Sequence, residues 1–63
     1  MENKLKAARM AAGLTQQQLA EKSGVNERQI RRIESGSSSM KNVSLENGLA
    51  LAKALGTTPE NLI

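Results

Sequence analysis

The sequence contains no cysteine, no histidine, no aspartate and no Phe, Tyr or Trp. Each absence excludes some chemistry. Without cysteine there is neither a disulfide framework nor a thiolate nucleophile. Without His, Cys and Asp, almost every common metal-ligand set is missing, and neither a Ser-His-Asp nor a Cys-His arrangement can be assembled. The six acidic residues are all Glu and lie far apart. The chain is therefore expected not to be an enzyme, and no cofactor, metal or small-molecule ligand is expected. The lack of cysteine also fits a reducing compartment, and the expected location is cytoplasmic. The longest apolar run is four residues, Leu49 to Ala52, too short for a membrane span. No signal peptide is visible at the N-terminus.

What remains is a chain of 63 residues, the length of one small domain. Its bulky apolar residues are eight Leu, three Ile, two Val and three Met, beside eight Ala. With no aromatic side chain available, the core must come from close packing of aliphatic helices. Nine Lys+Arg against six Glu give a net charge of +3. That excess is modest, so the placement of the charges matters more than their number.

Helical segments separated by stop signals run along the whole chain. Leu5, Ala8 and Ala12 mark one face of a first helix over about Glu2 to Ala12, with Gly13 as its left-handed cap and Leu14 folding back on its end. Thr15-x-x-Gln18 is a capping-box pattern that opens a second helix, ended by Gly24. Asn26-x-x-Gln29 repeats that spacing and opens a third helix, Glu27 to Ser35, stopped by Gly36. Ser37 to Asn42 is polar and predicts a loop. Ser44 caps a fourth helix, Leu45 to Leu55, closed by Gly56. Gly48 inside that helix either admits a close neighbour or is tolerated at a cost of about 1 kcal/mol relative to Ala. Thr58-Pro59 predicts a short fifth helix, about Pro59 to Leu62. No strand-type alternation and no internal repeat occur. The expected fold is all-α, a single compact domain of five helices spanning 1–63.

The third helix can be tested by geometry. At roughly 100° per residue, with Glu27 at zero, Arg31 falls near 40°, Arg28 near 100° and Arg32 near 140°. Ile30 and Ile33 fall near 300° and 240°. The two isoleucines therefore anchor the helix while the three arginines project outward. Asn26 and Glu27 lie at its N-terminal end. An arginine fork suits guanine O6 and N7, and Glu27 can accept from cytosine N4 or orient a neighbouring arginine. Arg9 lies near the apolar face of the first helix and Glu34 beside Ile30, so the two could meet across the core.

Four strings taken together carry a family resemblance. They are Arg9-Met-Ala-Ala-Gly13-Leu14-Thr15-Gln16, Leu19-Ala20-Glu21-Lys22-Ser23-Gly24-Val25, Ile30-Arg-Arg-Ile33-Glu34-Ser-Gly36 and Leu51-Ala-Lys-Ala-Leu55-Gly56. In combination they resemble the helix-turn-helix of the lambda-repressor-like family of phage repressors, Cro proteins and XRE-type regulators. That family is also a general reference for this docking geometry. The resemblance covers nearly the whole chain. It departs in a longer segment from Gly36 to Ser44 and in Gly48, where the family carries a bulky aliphatic.

The resemblance implies a sequence-specific double-stranded DNA-binding regulator, a repressor in a bacterial cell or phage-infected host, with its helix-turn-helix at 16–35. The base-contact candidates are Asn26, Glu27, Arg28, Arg31 and Arg32. The phosphate-contact candidates are Thr15, Gln16, Gln29, Ser35, Ser37 and Lys41. Gln29 has a second candidate role, capping Asn26. The resemblance also implies that Arg9 and Glu34 form a structural ion pair. It implies a weak homodimer formed on DNA through Pro59 to Leu62 and the Leu62-Ile63 tail; beyond that tail, Met10 and Met40 are the only further candidates for exposed apolar surface, and no large patch is expected. The reading from a different class is a protein-interaction module, such as an antitoxin-like subunit on the same fold.

Overall fold

The computed structural model describes residues 3–63. These form four α-helices, α1 (Lys4–Ala11), α2 (Gln16–Ser23), α3 (Glu27–Ser35) and α4 (Leu45–Leu55), with single 3-10 turns at Met40–Asn42 and Pro59–Leu62. No strand occurs among the described residues. The all-α expectation stands, but the count of five helices is corrected. The C-terminal element is one 3-10 turn, and the segment read as an irregular loop contains another.

The helix ends follow from their capping side chains. Asn3 caps α1, and its Oδ1 accepts from the Lys6 N–H at 3.1 Å. The predicted start at Glu2 lies outside the described residues. The end of α1 is a Schellman arrangement. The Leu14 N–H donates to the Arg9 carbonyl and the Gly13 N–H to the Met10 carbonyl, with Gly13 at φ 73°. Thr15 and Gln18 form a reciprocal capping box on α2.

Asn26 caps α3 by accepting from the Arg28 N–H at 2.8 Å, and Ser44 caps α4 through the Asn47 N–H. The Thr58 side chain makes no capping bond. There the proline at the first position fixes φ without a donor, and the Asn61 amide donates instead to Thr57 Oγ1 at 3.0 Å.

The core lies where the four helices meet. Leu5, Leu19, Val25, Ile30, Ile33, Leu51, Ala52, Ala54 and Leu62 are buried, with Ala8, Leu14, Ala20 and Leu55 packed against them. Val25 sits in the turn between α2 and α3 and plugs the space between them. Gly24 lets that turn form, because at φ 76° an L side chain would be strained. α2 packs on both α3 and α4, so α3 is clamped by its isoleucines and its opposite face is left to solvent. Gly48 admits no close neighbour, since a Cβ there would meet no atom within 4 Å.

Candidate nucleic-acid interface

The exposed arc of α3 carries Arg28, Arg31 and Arg32, opposite the buried Ile30 and Ile33. The arginines divide between two recesses. Arg28 and Arg32 line one with Asn26, Gln29 and Ser38, on the side of the loop that follows α3. Arg31 lines the other with Lys6, Arg9, Gln16, Glu34 and Ser35, where α1, α2 and α3 converge. Glu27 binds Arg31 at 2.7 Å across one helical turn. Both side chains are substantially solvated, so this pair contributes about 0.3–0.5 kcal/mol and acts mainly to orient the guanidinium.

Beneath the second recess lies a largely buried ion pair. Arg9 Nε donates to Glu34 Oε2 at 2.7 Å and Arg9 Nη2 to Oε1 at 3.0 Å. The side chains are 12% and 4% exposed. Arg9 Nη1 also donates to the Leu14 carbonyl at 2.7 Å, which ties the α1–α2 connection to α3. Gln16 Nε2 completes the cluster by donating to Glu34 Oε1 at 3.1 Å.

Several roles expected from the sequence change once the side chains are placed. Gln29 neither caps Asn26 nor faces outward free. Its Oε1 accepts from the Asn47 Nδ2 at 3.1 Å, because α4 packs close enough to offer a better partner. Thr15 Oγ1 is engaged in the capping box. The Ser35 hydroxyl lies 3.1 Å from both the Arg32 carbonyl and Ser37 Oγ, which shapes the start of the loop. Lys41 stands apart from the other candidates, beside a groove formed with Met40, Val43, Leu45, Gly48, Pro59 and Ile63.

Three residues near the interface were not singled out from the sequence. Lys6 shares the recess with Gln16 and Arg31, and its position one turn before Arg9 was a readable signal. Asn3 Nδ2 donates to the Ile33 carbonyl at 2.8 Å, and Asn47 holds Gln29. Both are long-range contacts with no local signature. Among the described residues, no group of three His, Cys, Asp or Glu side chains could hold a metal ion.

A glycine-bearing turn between two short helices, with a basic arc on the second, defines a helix-turn-helix module. The Helix-turn-helix family model matches residues 5–62. The chain belongs to that family, in its lambda-repressor-like, XRE-type branch of DNA-binding transcriptional regulators. Among solved structures it is similar to the restriction-modification controller protein C.AhdI from Aeromonas hydrophila. The two are 39% identical with a TM-score of 0.83, over 97% of this chain and 88% of that chain. No curated protein matches the sequence. No helix among the described residues is long and apolar enough to cross a membrane.

Proposed function

We propose that this chain is a repressor that recognises a specific duplex DNA sequence by setting α3 in the major groove. The observation that carries the reading is the arc of Arg28, Arg31 and Arg32 on a helix whose opposite face is anchored by Ile30 and Ile33. In this reading Asn26, Glu27, Arg28, Arg31 and Arg32 face base edges. Thr15, Gln16, Gln29, Ser35, Ser37 and Lys41 take the phosphates that fix register, Gln29 through the amide NH2 that its bond to Asn47 does not use. The likeness to a restriction-modification controller protein supports a regulatory role.

A second copy completes the reading, with half-sites about 34 Å apart. The surface for it is revised from the one read in the sequence. Leu62 is buried in the core, whereas Leu45 is 76%, Leu49 50% and Ile63 52% exposed. Leu45 and Leu49 lie one turn apart on α4, and Leu45 lines a groove with Gly48, Pro59 and Ile63.

Selection of binding sites from random duplex DNA, followed by a salt titration on the selected site, tests the reading. A two-fold symmetric consensus is expected. Log affinity should fall linearly with log salt concentration, by about 0.9 per phosphate neutralised. Failure to enrich any sequence, with no salt-dependent binding, would leave the protein-interaction module as the better account.

A further inference from the structure

The ion pair beneath the α1–α2–α3 recess does more than join two helices. Glu34 Oε1 accepts from Arg9 Nη2 at 3.0 Å and from Gln16 Nε2 at 3.1 Å. A carboxylate offers acceptors only, so Gln16 can meet it only through its amide NH2 group. One amide hydrogen is held by Glu34 and the second is left for an acceptor in the recess lined by Lys6, Arg31 and Ser35. The Glu34 side chain is itself fixed, being 4% exposed and gripped by the Arg9 fork.

We propose that Glu34 is a positioning residue for DNA binding, which holds the Gln16 amide with its free N–H presented to a backbone phosphate. This rests on the DNA-binding reading above. A free glutamine side chain would lose its rotamer freedom on binding. Here that ordering is already complete in the unbound domain, which lowers the cost of association. The arrangement also explains how a neutral residue serves among cations. Lys6 and Arg31 supply charge to the recess, and Gln16 supplies a directed donor that fixes where the phosphate sits. The buried pair that stabilises the fold and the contact that sets its register on DNA thus share one carboxylate.

The test is a double-mutant cycle on DNA affinity with Gln16→Ala and Glu34→Leu, which leaves no acceptor at 34, on the selected duplex at one salt concentration. The temperature is chosen so that circular dichroism shows all four proteins folded. Loss of a hydrogen bond to a charged partner should make Gln16→Ala about 10-fold weaker in the parent chain. In the Glu34→Leu background the same change should cost less than about 2-fold, because no acceptor is left at position 34 to hold the amide. Equal factors in the two backgrounds would overturn the proposal.

If Glu34→Leu does not fold, the side-chain amide signals of Gln16 in the parent chain decide, assigned by their loss in Gln16→Ala. One proton protected from solvent exchange is expected. Signals that exchange like those of the exposed Gln17 would overturn the positioning role. A parent chain that binds no duplex overturns the DNA-binding reading itself. A parent that binds but gives equal factors overturns only the role of Glu34.

Discussion

Glu34 shows how far one side chain can matter in a domain of this size. It takes three hydrogen bonds from two residues on two other parts of the chain, with its side chain only 4% exposed. Removing either member of the Arg9–Glu34 pair strands the other, and breaking a buried pair costs about 3–5 kcal/mol. That is comparable to the whole stability of many small domains. Arg9→Ala and Glu34→Ala should each melt far below the parent, with Arg9→Ala also leaving the Leu14 carbonyl without its partner. Chemical denaturation of both singles and the double should show strong coupling. Small, additive effects would mean that the pair is solvated in solution.

Arg28 is the opposite case, exposed, its side chain without a hydrogen-bond partner among the described residues. Arg28→Ala should leave the melting temperature nearly unchanged and cost about 1–3 kcal/mol of binding, with relaxed preference at one base pair. Affinities for every single-base variant of the selected site provide the check. A uniform loss across all variants would make Arg28 a phosphate contact. The Arg9–Glu34 proximity could be anticipated because each residue borders an apolar stripe of known period. The Gln16–Glu34 bond could not, since it depends on how three helices converge.

At the scale of elements, α2, α3 and α4 begin and end where their own sequences say they should, whereas α1 starts at Lys4 because Asn3, expected inside the helix, is its extended cap. A cap joins residues two or three apart, so Thr15-x-x-Gln18, Ser44 and the closing glycines were legible without the fold. The 3-10 turns were less so, because a polar stretch such as Ser37 to Asn42 carries no periodicity to distinguish one turn from a loop. Gln29 misled for a related reason. Its spacing from Asn26 satisfies a capping box, but packing of α4 brings Asn47 to it, and tertiary contact overrides the local option.

Two glycines test these elements with opposite signs. Gly24→Ala forces a Cβ onto a residue at φ 76° and should destabilise by about 1–2 kcal/mol. It should also weaken DNA binding by loosening the turn between α2 and α3. Gly48 is helical and a Cβ there meets nothing within 4 Å. Gly48→Ala should therefore stabilise the monomer by about 0.5–1 kcal/mol. Denaturation midpoints of the two variants check both signs, and a destabilising Gly48→Ala would mean that α4 is strained in a way its geometry does not reveal.

At the scale of the molecule, the basic arc of α3 and the apolar side chains of Leu45, Leu49 and Ile63 are both open to solvent among the described residues. The first suits a polyanion and the second a like surface. The apolar strip is small, well below the roughly 1,600 Å² of a standard interface, so the free domain should be monomeric at micromolar concentration and pair when two copies share one duplex. DNA then supplies the effective concentration that the strip lacks.

In the proposed dimer, Leu45→Glu would place like charges against each other across the two-fold axis. Because Leu45 is 76% exposed, the substitution should not disturb the fold. Sedimentation and gel-shift measurements on a symmetric site and on an isolated half-site separate the contributions. Leu45→Glu should bind the half-site as the parent does and lose the cooperative second occupancy. Cooperative filling that survives both Leu45→Glu and Leu49→Glu would place the second copy on some other surface. Weak half-site binding by a folded Leu45→Glu protein would instead mean that this end of α4 touches the DNA.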